Sequence, residues 1–322
     1  FPRGFKLFGY LKAAKAIKQI VEAEEPDLIH AHFSGAILAL ALARNKTFPT
    51  SLATFHGMNA TVSKGLSKLV TTPVEYFCIS RLDQSYVLNK EDFDAVSKTM
   101  PSKVSLLPTP GCGCTLHKFN PANFSQVEVR KIRSDLGLQP SDFVLIFIGR
   151  TVHFKGYGLV AKAFLELSKF HRSLKLLILG DADPLHPSGL SPEEELELKA
   201  NPNCISLGYR AEVDRFLAVS DLMVFPSVKE GIPVCIMEAL AMGVPVLTAN
   251  SRGCNSLVEN GKTGFVVDEC DVKKIERTIE FAFENPDILD AMKQRILTER
   301  NKLNRKVYVD YQVELYKSLC SP

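Results

Sequence analysis

Phe225-Pro-Ser-Val-Lys-Glu230-Gly-Ile-Pro233-Val-Cys-Ile-Met-Glu238-Ala-Leu-Ala-Met-Gly243-Val-Pro245 is the stretch on which the reading of the fold turns. The apolar run Leu222–Phe225 reads as a buried strand, and Pro226 opens a loop with Glu230 at its tip. Pro233 stands where a first helical turn accepts a residue without an N–H. Val234–Met242 then reads as a helix closed by Gly243, and Val244–Thr248 as the next strand. A strand, a helix and a strand at this spacing make a parallel crossover unit. Glu230 and Glu238 therefore flank a helix N-terminus at the carboxyl edge of a parallel sheet, where such folds take ligands and free N–H groups attract phosphate. By spacing alone the two glutamates read as a solvated loop residue and a partner of the helix dipole; the whole string is what carries information.

Working outward, the same alternation continues on both sides. Phe143–Ile148, Leu174–Leu179 and Cys204–Leu207 read as strands, with helices over Leu159–Phe170, Glu193–Lys199 and Val213–Val219. Phe265–Val267 is a further strand, followed by two polar helices over Val272–Arg300 and a last helix over Lys306–Cys320. Upstream, an amphipathic helix over Phe8–Glu24 precedes the strand Asp27–His32 and the helix Gly35–Arg44. Strands are predicted at Pro49–Phe55, Val74–Ile79 and Val104–Leu106, and helices at Leu82–Leu88 and Lys90–Ser97. Between the two halves, Pro108, Pro110, Gly111, Gly113, Pro121 and Pro140 loosen the pattern. The fold predicted is α/β, with two tandem Rossmann-like doubly wound domains over 1–118 and 136–305, the helix 306–322 completing the first. The first domain opens on a helix, so the reading predicts an N-terminally truncated unit whose preceding strand and glycine-rich turn lie upstream.

Composition narrows the function. The chain has 322 residues, 46% apolar and 23% charged, which excludes a disordered, collagenous or coiled-coil protein. Its 39 Lys and Arg against 36 Asp and Glu leave a charge of +3, too mild for a nucleic-acid partner. No apolar run reaches the ~18–20 residues of a membrane span. The eight cysteines are scattered and read as reduced thiols of a cytoplasmic protein, and Cys112-Gly-Cys114 lacks the second pair a zinc site needs. Gly111-Cys-Gly113 lacks the third glycine of a dinucleotide fingerprint, which sets aside a nicotinamide dehydrogenase. Lys12, Lys15 and Lys18 on the first helix read either as a solvated face or as a peripheral contact with anionic headgroups at the inner face of a membrane.

A second constellation, Gly149-Arg150-Thr-Val-His-Phe-Lys155-Gly156, leaves the strand Phe143–Ile148 at its carboxyl end. A guanidinium fork with an ammonium suits a diphosphate, at about 1.5–3 kcal/mol per charged hydrogen bond. Together the two constellations resemble the retaining glycosyltransferases of family 4, whose GT-B fold joins two Rossmann-like domains. Gly261-Lys-Thr-Gly264-Phe-Val-Val267 and Thr54-Phe-His56-Gly57 are similar to further turns of that family. Asn59 and Gly113-Cys-Thr115 depart from its pattern.

The resemblance implies an acceptor-side first domain and a donor-binding second one. It implies that Arg150 and Lys155 hold the donor diphosphate, that Glu230 stands near the donor sugar and that Glu238 accepts from the ribose hydroxyls. It implies backbone contacts from Gly231 and Ile232, a place for Gly208-Tyr209-Arg210 against the base, and an approach of His56 to the transferred sugar. His32 reads as a further lining residue and His30 as a strand histidine packed in the core. No metal is implied, cationic side chains taking its place, and no cofactor beyond the nucleotide-diphosphate sugar, which is the donor substrate. The expected acceptor is a glycan or lipid-linked sugar, in cell-surface polysaccharide or glycolipid assembly. Two alternatives stay open: a nucleotide-sugar epimerase of the same architecture, and a non-catalytic donor-binding subunit that needs a partner chain.

Overall fold

The structure, a computed structural model, describes residues 7–63, 65–268 and 271–320. Cys270 and the ends of the first predicted domain lie outside the described residues. The chain divides into two compact units, one running to Cys112 and resuming at Lys306, the other Gly113–Arg305.

The first unit is built on a parallel sheet of order β1-β2-β3-β4, from β1 (Leu28–His32), β2 (Thr50–Phe55), β3 (Gln84–Val87) and β4 (Val104–Leu106). Its helices are α1 (Leu7–Glu24), α2 (Phe33–Ala43), α3 (Asn59–Val62), α4 (Gly65–Arg81) and α5 (Lys90–Ser97), with α2 packed on both α1 and α4. The C-terminal helix (Arg305–Cys320) returns to this unit. Leu40, Leu52, Phe55, Ile79 and Leu82 are fully buried here.

Two predicted elements are exchanged in this unit. Val74–Ile79 is helical, inside α4, and the strand is β3, inside the segment Leu82–Leu88 predicted as a helix. Val, Tyr, Phe and Ile favour strands, but burial of Glu75, Cys78 and Ile79 at helical spacing decides the matter. Gln84–Val87 is instead enclosed between β2 and β4, where a fully buried strand shows no alternation.

The second unit holds a six-stranded parallel sheet of order β10-β9-β8-β5-β6-β7. The strands are β5 (Phe143–Ile148), β6 (Leu174–Leu179), β7 (Cys204–Gly208), β8 (Leu222–Phe225), β9 (Val246–Ala249) and β10 (Gly264–Val267). Around them lie α6 (Gln126–Asp135), α7 (Tyr157–Ser168), α8 (Pro192–Ala200), α9 (Val213–Leu217), α10 (Val234–Ala241), α11 (Val272–Glu284) and α12 (Pro286–Glu299). Helix α6 occupies the stretch predicted to be loose. Its signal was Ser125-Gln-Val-Glu128, which forms a complete capping box. Gly113–Arg305 belong to this unit, Cys114 N–H donating to the Leu303 carbonyl at 2.8 Å.

The strand order makes β5 the pivot. The chain runs outward from β5 through β6 to β7, then crosses back to β8 and on to β10. The crevice between the carboxyl ends of β5 and β8 is thus the topological switch point, the preferred ligand position in a doubly wound sheet.

Candidate functional site

Loops from β5 and β8 meet at that switch point. Gly156 is the place of contact: at φ +79° it lies so close to Pro226 that a Cβ would fall 2.6 Å from the Pro226 carbonyl oxygen. Val228 N–H donates to the Phe154 carbonyl at 3.0 Å, which zips the loops together. Lys155 and Glu230 are consequently paired, their side chains 19% and 11% exposed. The Ser227 hydroxyl sits 2.9 Å from the Glu230 carboxylate and 3.1 Å from the Phe154 carbonyl. From the loop after β9, Ser251 donates to the Ser227 carbonyl at 2.6 Å and Arg252 Nε to the Glu230 carbonyl at 2.9 Å. The Gly231 carbonyl packs on Gly253, where a Cβ would fall 2.0 Å away, and Ile232 follows against the core. The loop carrying Glu230, Gly231 and Ile232 is therefore held from two sides.

Arg150 leaves the end of β5 in another direction. It pairs with Asp183 and lies over the Phe154 ring, 5.4 Å from its centroid. The Leu185 N–H, then His186 and Arg150, hold the Asp183 carboxyl below its usual range. A cavity of about 470 Å³ opens beside this pair, lined by Gly149, Arg150, Asp181, Asp183, Tyr209 and Arg210. Tyr209 is 74% exposed, and its N–H donates to Asp181 at 3.2 Å. Arg150 and Tyr209 thus share a cavity, whereas Lys155 and Glu230 form the adjoining pair.

Glu238 lies on the second turn of α10. Burial pushes its carboxyl up to about 7, against the pull of Lys118 and Arg305 and with a push from Asp214. A carboxyl poised there changes charge near neutrality.

In the first unit, β1 and β2 run parallel with His32 beside Thr54, which brings His30, His32 and His56 to one carboxyl edge. His32 Nδ1 and His56 Nε2 are 3.1 Å apart, one donating and the other accepting. The His30 and His32 rings stack at 4.3 Å, and Phe33 stacks on His56 at 4.2 Å. His30 is not a plain core residue: it bonds Tyr316 of the C-terminal helix at 2.6 Å and Thr54 at 2.8 Å. Burial, with added repulsion between the rings, lowers His30 and His56 to about 4, and burial also lowers His32. All three imidazoles are therefore neutral at pH 7.

The chain belongs to the glycosyl transferases group 1 family, whose model matches residues 128–299. A glycosyl transferase 4-like model matches residues 2–84. A UDP-Gal:alpha-D-GlcNAc-diphosphoundecaprenol alpha-1,3-galactosyltransferase of Escherichia coli is 30% identical over 84% of this chain and 70% of its own length. The capsular polysaccharide biosynthesis glycosyltransferase CapM of Staphylococcus aureus is 26% identical over 86% of this chain and 73% of its own length. Among solved structures, Anabaena HepE in complex with UDP and glucose superposes with a TM-score of 0.81 at 19% identity, covering 98% of this chain and 84% of that one. The sucrose-phosphate synthase of Thermosynechococcus elongatus gives 0.82 at 20% identity, over 99% and 80%. The fold is accordingly GT-B and the protein a glycosyltransferase. The relatives named here support neither the epimerase nor the donor-binding subunit.

Sequence reasoning missed Asp183, Ser227 and Arg252. Asp183 carried a signal, since Gly180-Asp181-Ala-Asp183 follows a strand and has Asp-x-Asp spacing. Among the described residues no group of three His, Cys, Asp or Glu is placed to hold a metal ion. None of the described cysteines forms a disulfide.

The histidine shifts predict a spectrum. The His30 and His56 ring signals should stay in the neutral form down to about pH 5.5, where a free imidazole has already charged near 6.5. Because only the unfolded chain takes up these protons between pH 6.5 and about 4, their contribution to stability is lost as the pH falls through that window. An NMR titration of the imidazole carbons reads the first effect directly.

Proposed function

We propose that this chain is a retaining transferase that moves a sugar from a nucleoside diphosphate sugar to a glycan or lipid-linked acceptor, in cell-surface polysaccharide or glycolipid assembly. The observation that carries the reading is that the loop after β5 supplies two cations at the switch point, Arg150 on the wall of a cavity of about 470 Å³ and Lys155 against the Glu230 loop. Support for the acceptor class comes from the relatives, one named for a diphosphoundecaprenol-linked sugar and one for capsular polysaccharide.

In this reaction the bond from the anomeric carbon to the diphosphate oxygen breaks while the acceptor oxygen bonds to the same face. The acceptor proton passes to the leaving phosphate. Negative charge therefore grows on the diphosphate, and fixed cations there stabilise the transition state more than the ground state. Lys155 exchanges Glu230 for phosphate oxygens, which frees the Glu230 carboxylate for hydroxyls of the donor sugar. Arg150 supplies the second cation, and backbone from Gly231 and Ile232 completes that wall. Tyr209 offers a face to the base, Glu238 accepts from the ribose hydroxyls, and neutral His56 hydrogen-bonds the transferred sugar. The two cations take the place of a divalent ion.

Peripheral membrane attachment is part of the same proposal. No helix among the described residues is long and apolar enough to cross a membrane. Support for surface contact is the exposure of Leu7, Phe8 and Leu11 on α1 next to Lys12 and Lys15. Sedimentation with anionic vesicles at low salt should carry the protein down, and its remaining in the supernatant would remove this part.

A thermal-shift panel of UDP, GDP and ADP, with EDTA present throughout, tests the donor site. One nucleotide at about 100 times its Kd should raise stability by about 2.7 kcal/mol. Lys155→Ala should weaken that nucleotide at least about tenfold, or about 1.4 kcal/mol. Equal affinity in the variant means the site is wrongly placed. Glu238 adds a pH dependence: an acceptor with its pKa at about 7 must first lose its proton, so nucleotide binding should be about tenfold weaker at pH 6 than at pH 8. In Glu238→Gln only the ligand's own titration should remain.

A further inference from the structure

We propose that Glu75 is the positioning residue that fixes the His56 ring for reaction. His56 is gripped between two short segments of the first unit: the β1–α2 junction His32-Phe33-Ser34, which bonds and stacks on its ring, and the stretch Gly57 to Ala60 that leads into α3. Glu75, from the middle of α4, touches both. Its Oε1 accepts from the Asn59 N–H at 2.9 Å and the Asn59 side-chain amide at 3.2 Å, and its Oε2 from the Ala60 N–H at 2.8 Å. The Ser34 hydroxyl donates to the same Oε1 at 3.5 Å.

The chemistry of the loop explains why a carboxylate is there. After His56 and Gly57 the chain enters α3, a helix of four residues without a side-chain cap of its own. Its first N–H groups are left without helical acceptors. Glu75 takes two of them, and Asp92 from α5 takes the Met58 N–H at 3.0 Å. Glu75 is only 3% exposed, so its carboxylate must find its partners within the protein, and the loop supplies them. A glutamine there presents one oxygen and one N–H₂ where two oxygens are needed, which leaves either the Asn59 or the Ala60 N–H facing a donor. The loop then shifts, and with it the imidazole.

This inference rests on the role given to His56 above. The test is a double-mutant cycle read as UDP release from UDP-glucose, UDP-galactose and UDP-N-acetylglucosamine, well below the melting temperature of every variant. Glu75→Gln should lower kcat about tenfold with nucleotide affinity unchanged, and should lower it less than about twofold in a His56→Ala background. An equal loss in both backgrounds, or none in the wild type, overturns the proposal. Undiminished turnover in His56→Ala alone means instead that the role of His56 fails, and the proposal with it. Should Glu75→Gln not fold, Ser34→Ala breaks one link only and carries the same cycle, with an expected loss of about threefold that vanishes without His56.

Discussion

Backbone contact between the loops that leave β5 and β8 is the constraint on which the arrangement at the switch point depends. Gly156 presses on Pro226, and this approach brings Lys155 within reach of Glu230 although 75 residues separate them. The pair is largely withdrawn from water, so each partner alone would be an expensive buried charge. Ser227 and Arg252 then limit how far the Glu230 loop can relax. In the proposed donor site, a phosphate that displaced Glu230 would meet an ammonium already largely buried and already held in place, which is how preorganised sites act on developing charge.

The first unit solves a related problem with the opposite sign. Its short helix α3 presents N–H groups at the edge of a parallel sheet, a position where other proteins capture anions. Here Glu75 and Asp92, both buried, fill those donors from within the chain. Burial raises the Glu75 carboxyl while the donated bonds from Ala60 and Asn59 pull it back. The histidines beside it are all driven toward the neutral form. The edge that carries His56 thus holds neutral rings, whereas the second unit's edge carries cations each paired with a carboxylate, Lys155 with Glu230 and Arg150 with Asp183.

Much of this was legible in the residues. Strands β5, β6 and β8 match the predicted bounds because each is an apolar run between turn residues, broken only by Lys175 in β6. Gly-Arg, Lys-Gly and the Glu230–Gly243 string identified the family and placed the candidate cations. Where strand-favouring residues lay on a helix, as at Val74–Ile79, local preference pointed the wrong way, because burial at a spacing of three and four residues outweighs it.

The sequence alone determined the two α/β units, the parallel crossovers and which residue types stand at strand ends, since these follow from periodicity and from glycine and proline acting over a few residues. Only the tertiary structure decided that Lys155 holds Glu230, that Arg150 turns instead to Asp183, and that Glu75 grips the loop after His56. Those pairings join residues from different elements, and their partners are selected by the close approach of backbones and by the need to satisfy each buried donor, neither of which has a period along the chain.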